Sequence, residues 1–143
     1  MNNAHSYVNK CFSLLSLNVC GLKGKLLSIE FIEEYKKYDI ICMSENRCDD
    51  LDMNDVEVNM SNLFYDVVFR NRHALSRYKS GGTLITVRKD SWFQWKALPA
   101  RADTLLSVQL DKCSLGFQKH LTITAVYVPP SNSRYGNIEN LKT

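Results

Sequence analysis

The chain has 143 residues, 45% of them hydrophobic and 23% charged, with a formal net charge of +3. That length suits one domain and that composition a packed core, which excludes a disordered or fibrous chain. The charge is too small to mark a nucleic-acid binder by itself, and no apolar run reaches the ~18 residues of a membrane-spanning helix, so no membrane partner is expected.

Residues 1–10 are polar and aperiodic and read as a flexible leader. Lys10 precedes the mostly apolar stretch Cys11 to Val19, but Ser13, Ser16 and Asn18 interrupt it and no small-residue cleavage pattern follows, so a signal peptide is rejected. The run Phe12 to Val19, closed by Gly21, predicts a buried central strand, because a strand covered on both faces need not alternate.

From Lys25 to Tyr38 the period changes. Leu26, Leu27, Ile29, Phe31, Ile32, Tyr35 and Tyr38 recur at spacings of three and four, opposite Glu30, Glu33, Glu34, Lys36 and Lys37. This predicts an amphipathic helix with a Glu33–Lys37 surface pair. Asp39 to Ser44 predicts a second strand, so the opening reads strand, helix, strand, the order of a parallel crossover.

The distribution of charge says more than its sum. Cys48 to Phe69 carries six acids and no bases, and Val67 to Lys89 carries six bases, His73 and no acids. Each run alone reads as a solvated loop; the basic one is also suited to phosphates. Further strands are expected at Leu63 to Phe69, Gly81 to Val87, Thr104 to Leu110 and His120 to Val128. Short turns between them imply antiparallel pairing, hence an α/β class with a mixed, mostly antiparallel sheet and a flanking helix. Pro129 and Pro130 end the last strand, and residues 137–141 begin a further helix in which the chain stops, so residues 11–143 read as the opening portion of a larger domain. Five cysteines without paired spacing read as reduced and the chain as intracellular, and the lone histidines His73 and His120 as ordinary residues.

Glu45 stands at the downstream end of the apolar run 39–44, where a solitary carboxylate is costly without a role. Asn18 ends the first strand and Tyr127 the last, so three strands are expected to deliver Asn18, Glu45 and Tyr127 to one edge. With these residues, four segments resemble the endonuclease/exonuclease/phosphatase superfamily in its own order: Leu17 to Leu22, Tyr38 to Glu45, Ser80 to Ile85, and Ala125 to Pro130. The stretches Ile32 to Ile41 and Val126 to Ser133 resemble endonuclease domains of non-LTR (LINE-type) retrotransposons.

The resemblance implies a four-layer α/β sandwich, incomplete in this chain, and DNA phosphodiester hydrolysis with Mg²⁺ or Mn²⁺. Glu45 is the implied metal ligand, with Asn18 orienting it or a metal-bound water and Tyr127 facing a phosphate oxygen. Arg70, Arg72, Arg77, Tyr78 and Lys79 would bind the DNA backbone, with Tyr78 adding a stacking surface. A reverse transcriptase domain would accompany the endonuclease in the full-length protein, and its action would be nuclear. The superfamily completes its site with a Gly-Asp-Phe-Asn-type strand end and a terminal Asp-His pair. Neither a Gly-Asp nor an Asp-His dipeptide occurs here, so the isolated chain is expected to be inactive and prone to association through uncovered apolar sheet. The rival readings are a non-catalytic nucleic-acid-binding or interaction remnant, and a phosphodiesterase or phosphatase for lipids or small molecules.

Overall fold

Two short apolar runs set the framework. In the computed structural model, which describes residues 11–70, 81–99 and 105–128, Leu14–Asn18 is strand β1 and Ile40–Ser44 is strand β2. They pair in parallel, from Leu14 opposite Ile40 to Asn18 opposite Ser44. β2 is buried on both faces until Ser44. β1 departs from the expected buried centre, for it is an edge strand among the described residues. Leu14, Ser16 and Asn18 are exposed on one face while Leu15 and Leu17 pack on the core; the serine and asparagine in the run were the signal of a half-covered strand.

The helix expected over 25–38 is split into α1 (Leu22–Lys25) and α2 (Ile29–Tyr35). Ser28 causes the break, because its hydroxyl accepts from the Phe31 amide and caps α2, competing locally with continuous helix. Leu27 and Ile29, on either side of the break, are exposed, while Phe31, Tyr35 and Tyr38 keep to the core. The expected Glu33–Lys37 pair gives way to two exposed pairs one residue closer, Lys36–Glu33 and Lys37–Glu34.

The acidic stretch is not a loop but α3 (Asp50–Asn62). Asp49 and Asp52 form a reciprocal capping box, with the Asp52 amide donating to Asp49 and the Asp49 amide to Asp52. Carboxylates in the first turn suit the positive end of the helix dipole. Met53, Val56 and Met60, three and four apart, bury the inner face.

Strands β3 (Tyr65–Arg70) and β4 (Thr83–Arg88) complete a four-stranded sheet in the order β1-β2-β4-β3, with β4 antiparallel to both neighbours. A second, antiparallel sheet holds β5 (Trp95–Ala97), β6 (Leu105–Leu110) and β7 (Leu121–Val126), with the single turn α4 (Lys112–Leu115) before β7. The expected strands are therefore divided between a mixed and an antiparallel sheet, and β5 was not anticipated.

Alternation along the central strands builds two cores. Ile41, Met43 and Leu84 meet Tyr35, Met53, Val56 and Met60 on the helix side. Ile40, Cys42, Ile85 and Val87 meet Phe93, Leu106, Val108, Leu110 and Ala125 between the sheets. The result is an α/β sandwich in which β2 and β4 are covered on both faces.

Candidate functional site

Asn18, Ser44, Thr83 and Arg70 lie in one row across the four-stranded sheet. The row ends β1, β2 and β3 and begins β4, so the chain turns out of the sheet at one common edge. The expected residue Arg70 lies at the far end of this row, two strands from β2 and so roughly 10 Å away at ~4.8 Å per strand. Arg72, Arg77, Tyr78 and Lys79 lie outside the described residues.

The turns beyond this row are built from left-handed backbone: Cys20 (φ 48°), Gly21 (98°), Glu45 (58°), Arg47 (57°), Gly81 (80°) and Gly82 (89°). Three of these are not glycine, and each such residue costs on the order of 1 kcal/mol that surrounding bonds must offset. Those bonds are present. The Gly21 amide donates to the Glu45 carbonyl at 2.8 Å, Leu22 to Asn46 at 3.0 Å, and Arg47 to Gly81 at 3.0 Å. Asn46 is 1% exposed, and its Oδ1 accepts from the Cys48 amide at 2.9 Å. Its side chain fits where Gly82 has no Cβ, since a Cβ there would lie 2.1 Å from Asn46 Oδ1. Asn46 Nδ2 finds no hydrogen-bond partner among the described residues.

This turn holds Glu45 with its side chain 12% exposed. Tyr127 reaches it from the opposite sheet, just past β7, and its hydroxyl donates to Glu45 Oε1. Arg47 lies on the other oxygen, Nε to Oε2 at 3.5 Å. Burial is the chief reason the Tyr127 hydroxyl holds its proton well above the usual tyrosine range. The hydrogen bond to Glu45 and that carboxylate's charge act in the same direction, and Arg47 opposes them.

Asn18 belongs to the same edge but does a different local job. Its Oδ1 accepts from the Cys20 amide at 3.0 Å and the Cys20 thiol at 3.1 Å, a side-chain turn that steers the chain out of β1. Within the described residues its side-chain hydrogen bonds run to Cys20, whereas Glu45 is bonded by Tyr127 and Arg47. Sequence reasoning missed Arg47 and Asn46. The Glu-Asn-Arg run after an apolar strand was visible, but nothing in it announced that Glu45 and Arg47 both take left-handed backbone and that their side chains meet.

The donor set suits one kind of cation. No group of three or more His, Cys, Asp and Glu side chains is gathered among the described residues, which does not match the three or four protein ligands of zinc. A single carboxylate at a strand end matches a hard cation that keeps its waters. The sizeable groove of about 480 Å³, lined by Glu57, Asp66, Lys89 and Trp95 among others, opens at the other end of β3 and β4. It includes none of the residues above.

The same fold occurs in several solved structures. AP endonuclease LMAP from Leishmania major matches with a TM-score of 0.59 and 19% identity, over 85% of this chain and 41% of that one. An AP endonuclease from Archaeoglobus fulgidus matches with a TM-score of 0.53 and 21% identity, over 83% and 42%. ANGEL2, a 2′,3′-cyclic phosphatase, matches with a TM-score of 0.50 and 18% identity, over 86% and 42%. The chain thus spans about two fifths of the length of each. No family model and no curated protein matches it. At these identities the likeness establishes the fold, the α/β sandwich of the endonuclease/exonuclease/phosphatase type, and no helix among the described residues is long and apolar enough to cross a membrane.

Proposed function

We propose that this chain is the N-terminal part of a divalent-metal-dependent DNA endonuclease domain of retrotransposon type, with Mg²⁺ or Mn²⁺ held at Glu45. The observation that carries this reading is the convergence of Glu45 and Tyr127 from two different sheets at one edge of the nuclease-type sandwich. When bound, the cation supplies a counter-charge for the scissile phosphate and its leaving oxygen. The chain's own residues prepare the place. Tyr127 fixes the carboxylate by donating to Oε1, and the Gly81–Gly82 turn receives the backbone that carries it. Burial and the neighbouring carboxylate keep the Tyr127 hydroxyl protonated, so it acts as a donor and not as a base.

DNA as partner is supported by the basic run beginning at Arg70, which starts on this same edge. The retrotransposon assignment, with a reverse transcriptase domain alongside and nuclear action, rests on the sequence resemblance of Ile32 to Ile41 and Val126 to Ser133. The chain spans about two fifths of the matched structures and has no Gly-Asp or Asp-His dipeptide, so on this reading the 143 residues alone are inactive.

The test is nicking of supercoiled plasmid with Mg²⁺. The 143-residue chain should not turn over, whereas a chain extended through the second half of the fold should. Glu45→Ala should reduce that activity by roughly 100-fold or more. Undiminished Mg²⁺-dependent nicking by Glu45→Ala would remove the metal role. The likeness to ANGEL2 favours a second reading, a phosphatase or phosphodiesterase for other phosphoesters. A panel of DNA, cyclic nucleotide and lipid phosphate substrates separates the two. Salt-dependent DNA binding that never proceeds to cleavage, even in the extended chain, and is indifferent to Glu45→Gln would favour a non-catalytic binding remnant.

A further inference from the structure

We infer that Arg47 is the resident counter-charge of Glu45, covering the carboxylate oxygen that a divalent cation takes and yielding it when the cation arrives. The inference rests on the reading of Glu45 as a cation ligand and assigns the residue that sets how tightly the cation is held.

Four observations carry it. Glu45 is nearly buried, and an ionised carboxylate in such a place needs an opposite charge or a dense set of donors. Tyr127 provides one neutral donor, on Oε1, and Arg47 is the cation on Oε2. The Arg47 contact is single and long at 3.5 Å, without the two-pronged geometry that makes arginine–carboxylate pairs tenacious. Its side chain is 44% exposed against 12% for Glu45, so it can leave for water while the carboxylate cannot.

The backbone shows that this placement is built. Arg47 sits at φ 57° and is pinned by its amide on the Gly81 carbonyl. Its stem passes over Gly21, where a Cβ would come 3.7 Å from Arg47 Cδ. A divalent ion on Oε2 brings twice the charge of the guanidinium, and two cations on one oxygen repel each other. Cation binding and the ion pair are therefore alternatives, and the released guanidinium stays at the mouth of the site, where an anionic substrate group would meet it.

The test is Mn²⁺ titration of the full chain, followed by calorimetry and by the paramagnetic signal of free Mn²⁺. Arg47→Gln, which keeps length and hydrogen bonding without charge, should bind Mn²⁺ roughly three- to tenfold more tightly than the unaltered chain. Arg47→Lys should stay close to the unaltered chain, and Glu45→Gln should lose the site. Circular dichroism verifies that each variant is folded, and Arg47→Ala serves as a second neutral variant. Glu45-dependent binding that is unchanged or weakened in both neutral variants overturns the role of Arg47 alone, since Arg47 would then orient Glu45 without competing. Binding indifferent to Glu45→Gln, or no binding at all, overturns the metal reading and this inference with it.

Discussion

At the scale of single residues, the site is a set of exchanges between backbone strain and side-chain fit. Glu45 was legible in the sequence because an acid directly after a buried apolar strand is expensive, and Tyr127 because a tyrosine before paired prolines marks a strand end. Their arrival at one edge was expected, but the direct hydrogen bond between them, which joins residues 82 apart, was not legible. Asn46 gave no signal either, since its role depends on the missing Cβ of Gly82. Gly82→Ala puts a methyl group 2.1 Å from Asn46 Oδ1 at a residue with φ 89°, and should destabilise the chain by about 2–4 kcal/mol. Urea unfolding measures this. A loss below about 0.5 kcal/mol, the range of ordinary surface changes, would mean that the Asn46 notch does not hold the turn.

At the scale of elements, propensity and periodicity located β1, β2, β3, β4, β6 and β7 but failed where end chemistry decides. The acidic stretch looked like a loop because Leu51 and Val58 fall on its exposed side and Asp is a weak helix former. What makes it a helix is the reciprocal cap of Asp49 and Asp52, joined by the salt bridge from Lys23 Nζ to Asp52 at 2.8 Å. Asp49→Ala removes the cap and should cost about 1 kcal/mol, with Asp49→Ser restoring most of it. The urea midpoint with far-UV dichroism tests this, and equal midpoints for all three proteins would assign α3 to packing alone. Ser28 acts in the opposite sense, ending a helix that the apolar stripe alone would have continued. The three-residue β5 is too short to show any period, and only its pairing with β6 defines it.

At the scale of the whole molecule, buried tyrosines tie the helix layer to the sheet. Tyr35 and Thr86 share a hydrogen bond through their hydroxyls, and Tyr65 donates to the Tyr38 carbonyl at 2.6 Å beside Arg88. Burial raises the proton affinity of Tyr35 and, less strongly, of Tyr65; the Thr86 bond and Arg88 respectively work against it. Both groups hold protons more tightly when folded, so their contribution is complete below the ordinary tyrosine value of about 10 and is lost as pH rises beyond it. Urea stability should therefore fall between about pH 9 and pH 11, by up to ~1.4 kcal/mol per pH unit for each such proton. Tyr35→Phe should start lower, having orphaned the Thr86 hydroxyl, and decline less steeply; parallel curves would show that Tyr35 does not carry the effect. The sequence by itself determined the strand-helix-strand opening, the α/β class and the candidate residues Asn18, Glu45 and Tyr127, because burial pattern and the cost of isolated polar groups are local properties. The tertiary structure decided that the strands divide into two facing sheets, that Tyr127 crosses to Glu45, and that Arg47 shares its carboxylate. Those contacts depend on strand order and on left-handed turns at one sheet edge, which no local spacing encodes.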